Sequence, residues 1–249
     1  MPGTRYWEID LARGVAVVTM IIFHSAFDLN FFGILPLDVS GGFLWLLARL
    51  TASTFIFLVG LSFTISYARA RRRLTARGLA IRYARRGLAI FGCGMVITGV
   101  TWLFLPSVCI VFGILHFIGL SILLAPLFVR LDARRLIVAS VACFIAGYAV
   151  TLVNGPWHLL WLGIRPASFA SLDYVPLFPW FGIVLAGMAC GHTFYPDGRR
   201  GFRLGDPGPA VLRPFSFLGR HSLLIYFLHQ PVILFMIAVL APGAVRFFG

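Results

Sequence analysis

Seven apolar stretches of roughly 20 residues each divide this chain, and a polypeptide built that way has few folds open to it. They run from Ile9 to Phe32, Phe43 to Ala68, Gly87 to Leu105, Val108 to Val129, Leu136 to Val153, Val175 to Tyr195 and Phe217 to Leu240. A helix of that length crosses the hydrocarbon core of a bilayer. The expected fold is all-α, a polytopic transmembrane helix bundle of about seven spanning helices. Only 12% of the residues are charged, against about 25% in an ordinary soluble domain. Disorder is excluded because 60% of the side chains are hydrophobic and spread over the whole chain. Four widely spaced cysteines exclude a small disulfide-stapled domain. The first stretch is too long for a signal-peptide core, carries Asp10, Arg13 and Asp28, and lacks an A-x-A site. It is read as a span.

A net charge of +13 would suggest nucleic acid in a soluble protein. In a membrane protein, arginine collects instead in cytoplasmic loops. Eighteen of the 21 basic residues, all arginine, sort to one side. They lie in 69–86, 130–135 and 199–213, with Arg5, Arg13 and Arg220. Arg165, Arg246 and Arg49 fall on the other. The expected N-terminus is therefore cytoplasmic and the C-terminus outside, in a multi-pass protein of the plasma or inner membrane that binds no nucleic acid. The 69–86 segment reads as a short amphipathic helix on the membrane surface. It would serve as an anchor against anionic lipid or as a docking surface for an anionic cytosolic ligand. The outer segment 154–174, rich in aromatic residues, reads as a cap that folds back. No repeat divides the chain, so 1–249 is expected to be a single domain.

Ionisable groups inside a bilayer are expensive, and each one points to a site. The first helix carries Asp10, Arg13, His24 and Asp28, all within about 60° of one another on a helical wheel. His24 and Asp28, spaced i and i+4, can meet; a carboxylate beside an imidazole fixes its tautomer and supports acid–base chemistry. Asp10 and Arg13 either pair at the inner helix end or belong to the site. Further candidates are His116, near the middle of the fourth span, and Tyr226 and His229 in the last, where Pro231 should disturb the backbone. Arg49 and Asp173 are placed at the outer rim. His158, His192 and His221 read as interfacial. No Walker loop, no zinc-spaced His/Cys cluster and no Gly-x-Ser-x-Gly elbow occurs, so no metal is expected. The cysteines read as small core residues.

Five motifs in order then resemble one family. They are Arg5-Tyr6-Trp7-Glu8-Ile9-Asp10-Leu11-Ala12-Arg13-Gly14 with Phe23-His24; Phe57 to Ser62; Gly113-Ile114-Leu115-His116-Phe117-Ile118-Gly119; Asp173-Tyr174-Val175-Pro176-Leu177-Phe178-Pro179-Trp180; and Leu218 to Pro231 with Tyr226-Phe227-Leu228-His229-Gln230. The resemblance is to the heparan-alpha-glucosaminide N-acetyltransferase catalytic-domain family, over nearly the whole chain. The Arg13-x10-His24 spacing is similar to that of the wider group of transmembrane acyltransferases that acylate sugars. That resemblance implies a catalytic His24 and a place for Arg13 on the acyl-donor path. The lysosomal member is larger, so heparan sulfate itself is not the acceptor expected for this minimal chain.

The resulting expectation is transfer of an acetyl group from cytosolic acetyl-CoA to an amine or hydroxyl of a sugar-like acceptor on the outer side. His24 and Asp28 would be catalytic, with His24 as general base or as an acetyl-carrying relay. Arg13, Arg220 and His116 would hold the donor; Arg49, Asp173, Tyr226 and His229 the acceptor. His116 or Tyr226 would donate to the developing oxyanion. The partners are the lipid bilayer, acetyl-CoA, the acceptor and, as a homodimer, a second copy of the chain. The rival is a proton-coupled small-molecule transporter that uses the His24/Asp28 pair as a relay.

Overall fold

The structure, a computed structural model, describes residues 5–205, 208–241 and 243. Arg246, assigned to the outer side, lies outside the described residues. Eight helices are described: α1 Trp7–Phe31, α2 Gly42–Ala70, α3 Ala76–Phe104, α4 Ile114–Phe128, α5 Ala133–Thr151, α6 Leu177–Phe194, α7 Pro209–Arg220 and α8 Ser222–Leu240. All but α4 and α7 are long and apolar enough to cross a membrane, and α4 is a shorter apolar helix. The fold is thus the all-helical, membrane-spanning one that the apolar stretches predict. Leu103, Leu127, Val138, Phe235 and Leu240 expose about 70% of their area or more, a surface suited to lipid rather than water.

The helices gather into two compact units. The first contains α1, residues 42–55 of α2, α7 and α8. Here α1 and α7 touch backbone to backbone. A Cβ on Gly14 would run into the Phe215 carbonyl, and one on Gly219 into the Asp10 carbonyl. Thr51 on α2 donates to Thr19 on α1 at 2.8 Å. The second unit contains the remainder of α2 with α3, α4, α5 and α6. Its α2 and α6 cross in the same way, Gly60 against the Val184 carbonyl and Gly187 against that of Phe57. With no hydrophobic force between helices in lipid, such close approach is the main source of packing energy.

Two expectations are corrected. Residues 69–86 are not a separate surface helix. Thr75 caps α3 by accepting the Gly78 N–H at 3.2 Å, and α3 then runs unbroken into the apolar segment. Buried Leu79, Tyr83 and Gly87, four residues apart, form one stripe across the junction, so nothing interrupts the helix there. The last stretch is not one helix either. The chain breaks at His221, where α7, a separate helix reaching back to Pro209, gives way to α8. Hydropathy merged them because Phe217 and Leu218 belong to the end of α7. The α8 helix itself continues through Pro231.

The 154–174 segment is folded, as its aromatic content suggested. Gly155 N–H donates to the Arg165 carbonyl at 3.1 Å, and residues Trp157–Leu162 form a 3-10 turn. Tyr174 Oη donates to the Leu160 carbonyl at 2.7 Å. Burial pushes that phenol up to about 12. The start of α6 is interrupted at Phe178, between Pro176 and Pro179.

Candidate active site

The polar face of α1 and the middle of α8 meet inside the first unit. Asp28 is 3% exposed and His229 8%, while His24 is half-buried. The His24 and His229 rings lie 4.8 Å apart, nearly perpendicular at 80°. The Tyr226 ring is 5.6 Å from that of His229.

Each histidine is held by its own helix. His24 Nδ1 is 3.0 Å from the Met20 carbonyl, and His229 Nδ1 is 2.7 Å from that of Tyr226. A carbonyl oxygen only accepts, so in both rings Nδ1 carries the hydrogen. In the neutral imidazoles the Nε2 atoms therefore hold the lone pairs. This is the tautomer that the aspartate of a hydrolytic triad imposes on its histidine, fixed here by a backbone carbonyl one turn back. His229 Nε2 is buried and has no hydrogen-bond partner.

The expected His24–Asp28 contact does not form; no hydrogen bond joins them. Both carboxylate oxygens of Asp28 instead accept from Gln230 Nε2 on α8, at 2.9 and 2.8 Å. The i, i+4 spacing permits a meeting but does not compel it. The Met20 carbonyl has taken the His24 hydrogen, and Gln230 reaches Asp28 from the facing helix. The transporter alternative loses this direct contact for its relay and keeps its other support, the prolines at the start of α6 and within α8. Gln230 is the residue that sequence reasoning passed over. Gln230 is uncharged, yet a neutral amide beside a histidine in an apolar helix carries the same signal as an ionisable group. No cation pairs with Asp28 among the described residues, and Gln230 Oε1 is buried without a donor. The cluster is therefore rich in acceptors: the Asp28 carboxylate, Gln230 Oε1 and two imidazole Nε2 atoms.

The other end of α1 is basic and better solvated. Arg13 Nη1 pairs with Asp10 at 3.1 Å and keeps 24% of its side-chain area exposed. Since Gly219 packs on Asp10, Arg220 follows at the same end, exposed, with its Nε donating to the Ser216 carbonyl at 3.0 Å. His24 follows Arg13 by eleven positions, about 16 Å along the axis. Arg49, also in the first unit, is exposed and lies over the Trp45 ring at 5.4 Å.

His116 and Asp173 belong to the second unit and form a cluster of their own. His116 is the third residue of α4 rather than mid-helix. Its Nδ1 accepts the Gly113 N–H at 3.2 Å, which leaves the hydrogen on Nε2, 3.3 Å from Thr98 Oγ1. Thr98 in turn donates to the Ile110 carbonyl at 2.6 Å. Asp173 caps the same helix from a distant segment, accepting the Ile114 N–H at 2.8 Å. Its carboxylate leaves no room for a side chain at 113, hence the glycine. Burial lifts Asp173 to about 6, against the opposing pull of that N–H. Both ring nitrogens of His116 are thus engaged in shaping the start of α4.

The family model described as heparan-alpha-glucosaminide N-acetyltransferase, catalytic, matches residues 5–231. No curated protein and no solved structure matches the chain.

Proposed function

Since this chain belongs to the heparan-alpha-glucosaminide N-acetyltransferase catalytic family, a family of membrane acyltransferases, we propose that it carries an acetyl group from cytosolic acetyl-CoA to a sugar-like acceptor across a cell membrane. The N-terminus and the arginine-rich loops then face the cytoplasm. The observation that carries this reading is the 3.0 Å contact of His24 Nδ1 with the Met20 carbonyl within a spanning helix, which assigns the hydrogen to Nδ1 and leaves Nε2 available as a base.

Arg13 and Arg220, at the cytoplasmic end of α1, meet the phosphates of the donor through charge-assisted hydrogen bonds. The pantetheine arm extends along α1 toward His24. The acceptor N–H or O–H gives its proton to His24 Nε2 as its heavy atom attacks the thioester carbonyl. The tetrahedral intermediate collapses, the C–S bond breaks, and the CoA thiolate takes the proton back from the imidazolium. Tyr226, whose ring is 5.6 Å from that of His229, would donate to an acceptor hydroxyl or to the oxyanion. Asp28 contributes negative potential rather than orientation of His24. The excess of acceptors around it favours an amine over a hydroxyl, because a primary ammonium brings three N–H donors. His116 is read as the organiser of α4 rather than as a donor contact.

Purified protein, radiolabelled acetyl-CoA and a panel of amino sugars test the proposal. His24→Ala should lower turnover about 10²- to 10⁴-fold while CoA still raises the melting temperature. Arg13→Ala should weaken that thermal shift. Full turnover in His24→Ala would remove the histidine from the chemistry, and an unchanged shift in Arg13→Ala would remove the arginine from the donor site.

A further inference from the structure

Transfer to an amine has a proton balance that one base does not meet. An acceptor arriving as R-NH₃⁺ must lose two protons to become R-NH-acetyl. One returns to the departing CoA thiolate and the other leaves as H⁺. His24 Nε2 accounts for the proton lost as the C–N bond forms. The first, whose removal makes the nitrogen nucleophilic at all, needs its own acceptor.

We infer that His229 is that second base: it deprotonates the acceptor ammonium before His24 takes the second proton. This rests on the acetyltransferase reading and goes beyond it. Four observations converge. His229 is 92% buried, being 8% exposed. Its Nε2 is buried without a partner, an expensive state for a polar atom unless a ligand completes it. Its Nδ1–H is tied to the Tyr226 carbonyl, so the unpartnered atom is the one with the lone pair. Its ring lies 4.8 Å from that of His24, so a single primary amine can engage both rings. Asp28, held by Gln230 and with no cation beside it among the described residues, adds the negative charge that draws an ammonium to this point. The steps are R-NH₃⁺ plus His229 giving R-NH₂ and the His229 imidazolium; attack on the thioester with the second proton passing to His24; return of that proton to the thiolate; and release of the first to solvent.

The test is the pH dependence of kcat/KM for His229→Gln, which keeps polarity but not basicity, with glucosamine and with an O-alkylhydroxylamine that is unprotonated at neutral pH. With glucosamine the variant should be about ten-fold or more below wild type on the acid side of the amine's own pKa, and should approach wild type above it. With the hydroxylamine any loss from the missing contact should be the same at every pH and at least several-fold smaller than the loss with glucosamine on the acid side, whereas His24→Ala fails with both acceptors. The CoA-induced thermal shift checks that each variant is folded; if the glutamine variant fails that check, His229→Asn is put through the same measurements. A loss in the folded variant that is uniform across pH and across both acceptors would overturn the second-base role alone. Wild-type protein that acetylates neither acceptor would overturn the acetyltransferase reading and this inference with it.

Discussion

Gln230 and Asp28 are the residues whose pairing most changes the chemistry of the site. The amide donates to both carboxylate oxygens, and Asp28 has no other donor among the described residues. Gln230→Leu should therefore leave a buried carboxylate unsatisfied at a cost of about 1–3 kcal/mol, seen as a lower melting temperature in detergent. Asp28→Asn keeps a partner for the amide and should be milder. A Gln230→Leu protein that melts with the wild type would mean that the pair is dispensable. What could be read in advance at this scale was the set of expensive groups, not their partners. His24, Asp28 and His229 stood out because ionisable residues are rare in spans. The helical wheel placed Asp28 on the face of His24, and only the facing helix could show that Gln230 competes for it. The backbone carbonyl that fixes the His24 tautomer has no sequence signature.

Helices pack here through glycine, and the consequence is measurable element by element. Gly219 on α7 abuts the Asp10 carbonyl of α1, so Gly219→Ala should force the two helices apart and cost about 1–3 kcal/mol in thermal unfolding. Unchanged stability would show that the crossing relaxes freely. The start of α4 makes a different prediction. Asp173, lifted from its ordinary 3.8 to about 6, weakens the fold when it ionises. Its contribution is complete below pH 3.8 and is lost as the pH rises through about 6. Melting measured across that window should fall with pH in the wild type. Asp173→Asn, which keeps an oxygen for the Ile114 N–H, should flatten the fall; parallel curves would contradict the assignment. Hydropathy foretold the spanning elements well, because length and apolarity are what a bilayer selects. It failed at the two ends where an amphipathic segment abuts an apolar one. At α3 a buried stripe carries the helix straight through a run of arginines, and before α8 the break at His221 lies inside an apolar run.

For the whole molecule, the proposed vectorial transfer requires the orientation that the arginine distribution predicts, with the arginine-rich loops in the cytoplasm. If Arg77 is inside and Trp157 outside, as that orientation requires, a cysteine placed at 77, in a protein cleared of its free cysteines Cys93, Cys109, Cys143 and Cys190, should react with an impermeant maleimide only in inside-out vesicles. One placed at 157 should react only in right-side-out vesicles, and the reverse pattern would invert the topology. The central proposal is acetyl transfer through His24. The most direct measurement incubates purified wild-type and His24→Ala proteins with radiolabelled acetyl-CoA and glucosamine and follows label on the amine. Acetyl transfer through His24 should give acetyl-CoA-dependent label with wild type and a loss of about 10²-fold or more in the variant, with CoA binding retained. Equal labelling by the two proteins, or none by the wild type despite CoA binding, would contradict it.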